Sequence, residues 1–259
     1  MLADYTGFFS RAGLGQFGFR WLHILVGITW IGLLYYFNFV QVPAFAAFGD
    51  EAKARNIALD KVARKALWYF RWAAISTFVT GLLITFVTKD YYKSFEGYSW
   101  GKFGGNIAIS TGMILGTIMM LNVWGVIWRN QKVVLANAAN LLAGGEADPN
   151  AAAAGRKAFM ASRTNTIFSV SMLFFMVFRG HHPYASSYLT GGKMAGYWII
   201  ALIIIAVLEL NALGLLPWKA QPNKGLNVIF DGPGVRNTLC AMFGLWAVFL
   251  ILTEIFFKP

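Results

Sequence analysis

Long apolar runs recur along the chain and are separated by shorter polar segments. The first run, FRWLHILVGITWIGLLYYFNFVQ at residues 19–41, contains a histidine, His23, close to its start. About 20 helical residues are needed to cross a hydrocarbon core of about 30 Å. The pattern therefore predicts six membrane-spanning helices, over residues 20–44, 67–88, 106–128, 164–181, 195–216 and 237–257.

The longest connection lies between the third and fourth spans, at residues 129–163. Both of its halves are rich in alanine, a strong helix former, and the GGEADPN between them is typical of a turn. We therefore expect an extramembrane helical hairpin here. The predicted fold is all-α, a polytopic membrane helical bundle that forms one integral membrane domain over residues 1–259.

Composition supports this fold and argues against nucleic-acid binding and against covalent attachment of c-type haem. The 259 residues are 58% hydrophobic and 13% charged, whereas soluble domains carry about 25% charged residues. The net charge of +11 comes from Lys and Arg spread through the connecting loops, so it does not indicate nucleic-acid binding. One cysteine, Cys240, allows no intrachain disulfide, and without a CxxCH motif the chain has no attachment site for c-type haem.

The distribution of Lys and Arg predicts the orientation. Fourteen of the 22 lie on the side of the loops after the first, third and fifth spans, and this richer side should be cytoplasmic. Both termini then lie outside, and we expect a bacterial inner membrane with the termini in the periplasm. The eight basic residues on the outer side are Arg11, Arg20, Lys89, Lys93, Lys102, Arg179, Lys193 and Lys258.

The three histidines, His23, His181 and His182, fall near the outer face in this topology. Two imidazoles on facing helices can bind the iron of a b-type haem from opposite sides, and Trp30 is placed to pack against the macrocycle. Two other interpretations remain open. His23 could hydrogen-bond a backbone carbonyl, and His181 and His182 could be an interfacial loop pair. Glycines of the spans, Gly112 among them, could make room for haem or serve ordinary helix packing.

Polar side chains collect at the predicted inner ends of the spans. Arg71 and Glu209 could form a buried ion pair that joins two helices. Alternatively, guanidinium and carboxamide groups could form a pocket open to the cytoplasm that suits a flat anionic heterocycle. The candidate residues of such a pocket are Asn38, Gln41, Arg71, Asn122, Gln131 and Arg163. No Ser-His-Asp set, HExxH motif or phosphate-binding glycine loop is visible, so hydrolase and nucleotide functions have no support.

Four segments resemble a known family: WLHILVGITWIGLLYYFNFVQ, ALWYFRWAAISTFVTGLL, GTIMMLNVWGVIWRNQK and AAAAGRKAFMASRTNTIFSVSMLFFM. They are similar to the membrane domain of bacterial membrane-bound urate hydroxylases. The resemblance implies oxidation of urate to 5-hydroxyisourate, with electrons leaving through a c-type cytochrome domain that follows the membrane domain. This sequence ends at Pro259 without such a domain. We therefore expect a separate cytochrome c as electron acceptor.

A more distant resemblance, carried by LHILVGITWIG, is to the membrane-bound protoporphyrinogen oxidases and copper-resistance D-type proteins. It implies that His23 is a haem b ligand, and the residues after MLFFM match His181 better than His182 as the second ligand. With urate as the substrate that the first resemblance implies, we expect the inner polar cluster to bind it: Arg71 and Arg163 would neutralise the anion, while Asn38, Gln41, Asn122 and Gln131 would recognise its edge. The alternatives are protoporphyrinogen oxidation and a non-catalytic, haem-binding or structural, subunit of a larger respiratory or photosynthetic membrane complex.

Overall fold

The computed structural model describes residues 7–10, 13–87, 102–216, 222–231 and 234–259. Four basic residues that enter the orientation argument, Arg11, Lys89, Lys93 and Lys219, lie outside the described residues, as does residue 88 of the second predicted span.

Six helical stretches are long and apolar enough to cross a membrane, which confirms the predicted all-α polytopic bundle. They extend beyond the predicted bounds at several ends because polar residues continue the helices past the apolar runs. The six stretches are Gly13–Ala47, Ala52–Phe86, Gly104–Leu142, Ala151–His181, Gly191–Ala212 and Arg236–Phe257.

Ten α-helices make up these stretches and their connections within the described residues. In chain order they are α1 (Phe19–Tyr35), α2 (Val42–Ala47), α3 (Ala52–Ala58), α4 (Arg64–Val87), α5 (Gly104–Leu121), α6 (Trp128–Leu142), α7 (Ala151–His181), α8 (Gly191–Ala212), α9 (Val228–Asp231) and α10 (Arg236–Phe257). Four π-helical turns interrupt or precede them, at Gly13–Gly18, Tyr36–Gln41, Leu59–Ala63 and Asn122–Ile127.

Helix α7 is the centre of the bundle, and α5, α6, α8, α10 and α1 pack against it. Two thirds of its apolar window is buried (67%), against 28% for the first, fifth and sixth spans. Hydroxyl groups within the spans donate back to carbonyls one turn earlier, as Thr111 does to Ile107 and Thr164 to Met160. These bonds satisfy polar groups that have no water partner in a bilayer.

The residues predicted to form a hairpin, 129–163, continue the third and fourth spans as helix. Helix α6 follows α5 through the π turn, and α7 begins at Ala151. The stretch Gly104–Leu142 has 39 residues, which at 1.5 Å per residue is about 58 Å long and exceeds the hydrocarbon core. Helix α3 packs against the projecting α6, and Arg64 donates to the Leu135 carbonyl at 3.2 Å.

Gly112 sets the spacing between α5 and α7. A Cβ atom at this position would lie 3.2 Å from the Cβ of Phe175 and 3.4 Å from the backbone nitrogen of Met176. We expect Gly112→Leu to force the two helices apart and to destabilise the protein by about 1–3 kcal/mol. Thermal unfolding of the purified protein in detergent measures the change.

The matched control is Gly116→Leu, one turn further along α5. A Cβ there would meet only side-chain atoms of Met172 and Met176, at 3.9 and 3.8 Å, and methionine side chains adapt easily. Equal unfolding temperatures for the two variants would contradict the assignment of Gly112 to helix packing. That result would favour the alternative interpretation, in which Gly112 makes room for haem.

Candidate functional site

Polar residues near one end of the bundle meet at two π-helical turns. Asn38 and Gln41 lie in the turn Tyr36–Gln41, and Asn122 opens the turn Asn122–Ile127. Such turns widen a helix by one residue and are frequent at functional sites. Asn38 and Asn122 are almost completely buried, so their amides need protein partners.

A chain of amides leads from Asn122 to a carboxylate. Asn165 on α7 donates from Nδ2 to the Met119 carbonyl at 2.9 Å. Its Oδ1 accepts from Asn122 Nδ2 at 3.0 Å, and the same nitrogen donates to Glu209 Oε2 at 3.0 Å. Because the Met119 carbonyl can only accept, it fixes the orientation of Asn165, and Asn165 in turn fixes Asn122. Both N–H groups of Asn122 are therefore occupied.

The postulated ion pair between Arg71 and Glu209 is not formed. Glu209 is bound by Asn122, and the guanidinium of Arg71 lies over the Trp128 ring, with its Cζ 3.7 Å from the ring centroid. The backbone carbonyl of Arg71 accepts from Trp124 Nε1 at 3.0 Å. Helix α4 is thus held to the π turn by aromatic and backbone contacts, and no salt bridge in the described parts of the chain involves Glu209.

The remaining amide candidates occupy different positions. Asn38 donates to the Leu34 carbonyl and to Ser162 Oγ, both at 2.9 Å. The second bond ties the π turn after α1 to α7, within one turn of Asn165. Gln41 has a buried Oε1 without a hydrogen-bond partner among the described residues. Gln131 lies nine residues after Asn122, about 13 Å further along the helix. The structure brings Asn38 and Asn122 to one level and does not bring Gln131 to it.

Arg163 lies on the far side of α7. It is two residues from Asn165, which is about 200° around the helix, and it is 1% exposed. Its Nη1 donates to Thr238 Oγ1 and its Nη2 to the Gly234 carbonyl, each at 3.1 Å. Arg163 therefore contacts the start of α10, whereas Asn165 contacts α5. Arg163 thus faces away from the amide chain, and its predicted role at the substrate site stays a prediction.

A neighbouring ion pair reinforces this end of α7. Arg156 binds both carboxylate oxygens of Asp231, the last residue of α9. Burial by itself would raise the pKa of Asp231, but the hydrogen bonds from Arg156 and from the Asn223 amide outweigh burial and lower it. Asp231 therefore stays ionised near neutral pH and holds the segment before α10 against α7.

His23 is fixed by helix α4. Its Nδ1 lies 2.9 Å from the Thr77 carbonyl and 3.1 Å from Thr80 Oγ1. Because a carbonyl only accepts, Nδ1 carries the proton and Nε2 keeps its lone pair. This is the arrangement that orients a histidine ligand of a metal. The hydrogen-bond interpretation and the ligand interpretation of His23 are thus compatible, since they use different ring nitrogens.

His181 and His182 differ from one another. The His182 ring stacks on Phe178, with centroids 3.9 Å apart, and its Nδ1 accepts from the Tyr184 amide at 3.2 Å. Burial lowers the pKa of His182, with Glu254 opposing the effect, so the ring is neutral near pH 7 and Nε2 carries its proton. His182 then has no free lone pair. His181 is exposed at the last turn of α7, beside an open apolar groove of about 470 Å³ that is lined in part by Leu173, Phe174 and Val177.

Two hydrogen bonds set the register between α1 and α7. Tyr35 binds Ser169 at 2.8 Å and Asn38 binds Ser162, so the two helices are antiparallel. His23 precedes Tyr35 by twelve residues and His181 follows Ser169 by twelve. At 1.5 Å per residue both histidines lie about 18 Å from this bond, toward the same end of the bundle. The register thus places the two residues at one level.

The sequence shows the polar residues of this centre but not how they pair. Asn165 and Glu209 stand out in the sequence only as polar residues inside apolar spans, and nothing in their spacing shows that both bind Asn122. The bond between Tyr35 and Ser169 gave no sequence signal, because an aromatic residue near a span end is normally an interfacial anchor.

The fold and its polar centre define an integral membrane protein with an intramembrane carboxylate and a buried amide network. Residues 99–212 match the family described as "Urate oxidase N-terminal". This stretch includes all members of the amide chain, Asn122, Asn165 and Glu209, together with His181. No curated protein and no solved structure matches the chain.

Proposed function

We propose that this protein is a membrane-embedded oxidoreductase that converts urate to 5-hydroxyisourate and passes the electrons to a cytochrome c. The observation that carries the proposal is the match of residues 99–212 to the urate oxidase N-terminal family. That stretch contains the amide network and its carboxylate, the groups best suited to chemistry on a heterocycle with N–H and carbonyl functions.

Haem b is the cofactor we propose. The described residues that support it are two histidines, as axial ligands, and one tryptophan. His23 presents an Nε2 lone pair because its Nδ1 donates to Thr77, and the register places His181 at the same level. Trp30, seven residues after His23 on α1, has a buried Nε1 without an acceptor among the described residues. When bound, haem b would supply a one-electron redox centre that can exchange electrons with cytochrome c.

The residues of this chain would hold the substrate in place. Arg71 is the cation best placed to neutralise urate, because its guanidinium stacks on Trp128 and forms no salt bridge within the described ranges. Asn122 has only its carbonyl oxygen left to accept a urate N–H, since its nitrogen serves Asn165 and Glu209. Gln41 adds an unpaired buried carbonyl oxygen. Asn38, Gln131 and Arg163 remain predictions for this site.

Anaerobic addition of urate to the purified protein with oxidised cytochrome c tests the proposal. We expect two equivalents of cytochrome c to be reduced per urate, and no reduction with xanthine, which lacks the C8 oxygen. If bound haem is present and both it and cytochrome c stay oxidised, the enzyme hypothesis is wrong. If the protein contains no haem but urate reduces ferricyanide, the cofactor assignment alone is wrong.

A non-catalytic subunit of a larger membrane complex is the second candidate. It is favoured by the fact that much of the polar centre is already hydrogen-bonded within the protein, as Arg163 is to Thr238 and Asn38 to Ser162. Under this hypothesis, urate has no effect on the spectrum. The protein would instead co-purify in mild detergent with other membrane proteins of defined stoichiometry.

A further inference from the structure

Glu209 is an ionisable group inside the fifth span, three residues before the end of α8. It is eighteen residues from the first residue of α8, about 27 Å along the helix, which places it near one boundary of a hydrocarbon core of about 30 Å. Ionisable residues within spans are rare and normally functional. Glu209 is half-buried against the π turn that begins at Asn122.

No described cation neutralises this carboxylate. Helix α5 and the π turn Asn122–Ile127 carry no ionisable residue. Three charged residues of the helices that pack against α8 have partners elsewhere: Arg163 binds Thr238 and Gly234, Arg156 binds Asp231, and the exposed Glu254 accepts from Tyr184. The other ionisable groups on these helices are Lys157, Arg179 and His181 on α7 and Arg236 and Cys240 on α10. Within the described ranges, none of them forms a salt bridge with Glu209.

The amide chain distinguishes the two oxygens of the carboxyl group. Asn122 Nδ2 donates to Oε2, and its orientation is fixed through Asn165 by the Met119 carbonyl. Oε2 is therefore an acceptor in both protonation states. A proton on Glu209 must reside on Oε1, where it does not disturb the network. The site can thus gain and lose a proton without rearrangement of its neighbours.

We propose that Glu209 is the proton acceptor of the intramembrane site, with Asn122 and Asn165 as positioning residues. This inference rests on the proposed function. Oxidation of the urate monoanion consumes one water and yields 5-hydroxyisourate, one proton and two electrons. The two electrons reduce two equivalents of cytochrome c, a C–O bond forms between water oxygen and C5, and Oε1 of Glu209 takes the proton.

Glu209→Gln tests the proton transfer while it preserves the hydrogen bond, because the Gln carbonyl still accepts from Asn122. We expect kcat with urate to fall by about 100-fold or more, with unchanged haem content. Wild-type kcat/KM should decline on acidification as Glu209 binds its proton, and this decline should be absent in the variant. Glu209→Asp should recover part of kcat. Glu254→Gln, at the other end of the bundle, is the matched control and should retain wild-type kcat.

Infrared difference spectroscopy tests the same carboxyl group without substrate. Acidification of the wild type should produce a protonated carboxyl band that shifts in D₂O and is missing in Glu209→Gln. Wild-type kcat and pH profile in Glu209→Gln, or the absence of the band in the wild type, overturns the inference. If the band is present but urate is not oxidised, the proposed function fails while Glu209 stands as a proton-binding group.

Discussion

Replacement of His23 with alanine should yield protein without haem b. His23 is the imidazole whose Nδ1 is held by Thr77 and Thr80, so that its Nε2 keeps the lone pair that would bind iron. Loss of an axial ligand removes both the iron bond and the ring that positions the macrocycle. We expect the haem-to-protein ratio, measured from the reduced-minus-oxidised spectrum, to fall at least tenfold.

His182→Ala is the matched control, because the Nδ1 of His182 already accepts from the Tyr184 amide. This variant should keep its haem, whereas His181→Ala should lose it. Gly81→Ala offers a finer test, since the new Cβ would lie 3.2 Å from His23 Cε1 and must displace the ring. If the α band of the reduced haem is unchanged in His23→Ala, another residue is the iron ligand. His23 would then only join α1 to α4.

The second large effect is expected for Arg163→Ala. The guanidinium is fully buried and donates to Thr238 and to the Gly234 carbonyl, which anchors the start of α10 on α7. Hydrogen bonds from a charged group contribute about 1.5–3 kcal/mol each. Loss of both should destabilise the protein by roughly 3 kcal/mol or more. Thermal unfolding in detergent, followed by circular dichroism, measures this change.

Lys157→Ala, on the exposed face of the same helix, should leave stability nearly unchanged and serves as the control. The comparison also decides between two roles of Arg163. A stable Arg163→Ala protein with a raised KM for urate would support the predicted contact with the substrate. Loss of stability with an unchanged KM in the protein that remains folded would assign Arg163 to the packing of α10.

Apolar periodicity was sufficient to predict the six spans, because an uninterrupted apolar run of about 20 residues has few alternatives to a membrane helix. The polar residues within these runs were equally visible. Their partners were not, since a single sequence does not show how two helices are rotated about their axes. Arg163 and Asn165 illustrate this: they are neighbours in the sequence but contact different helices, α10 and α5.

For the histidines, too, the sequence predicted the approximate position but not the hydrogen-bond partners. The alternation of spans predicts that His23 and His181 lie toward the same end, and the register through Tyr35 and Ser169 agrees with that expectation. The residues alone gave no physical reason to prefer His181 over His182, which only the resemblance favoured. That reason is one backbone N–H, which occupies the Nδ1 of His182. Likewise, an Arg71–Glu209 ion pair was reasonable by charge, but the tertiary structure gives Arg71 an aromatic partner and Glu209 an amide.

The sequence by itself therefore determined that the chain spans a membrane six times and which residues bring polarity into it, because hydrophobic length and residue type are local properties. The tertiary structure decided which of these polar groups bind one another, which ring nitrogen of His23 and of His182 is occupied, and that Glu209 meets an amide network in place of a cation. These outcomes depend on helix rotation and register, and close packing around α7 fixes both.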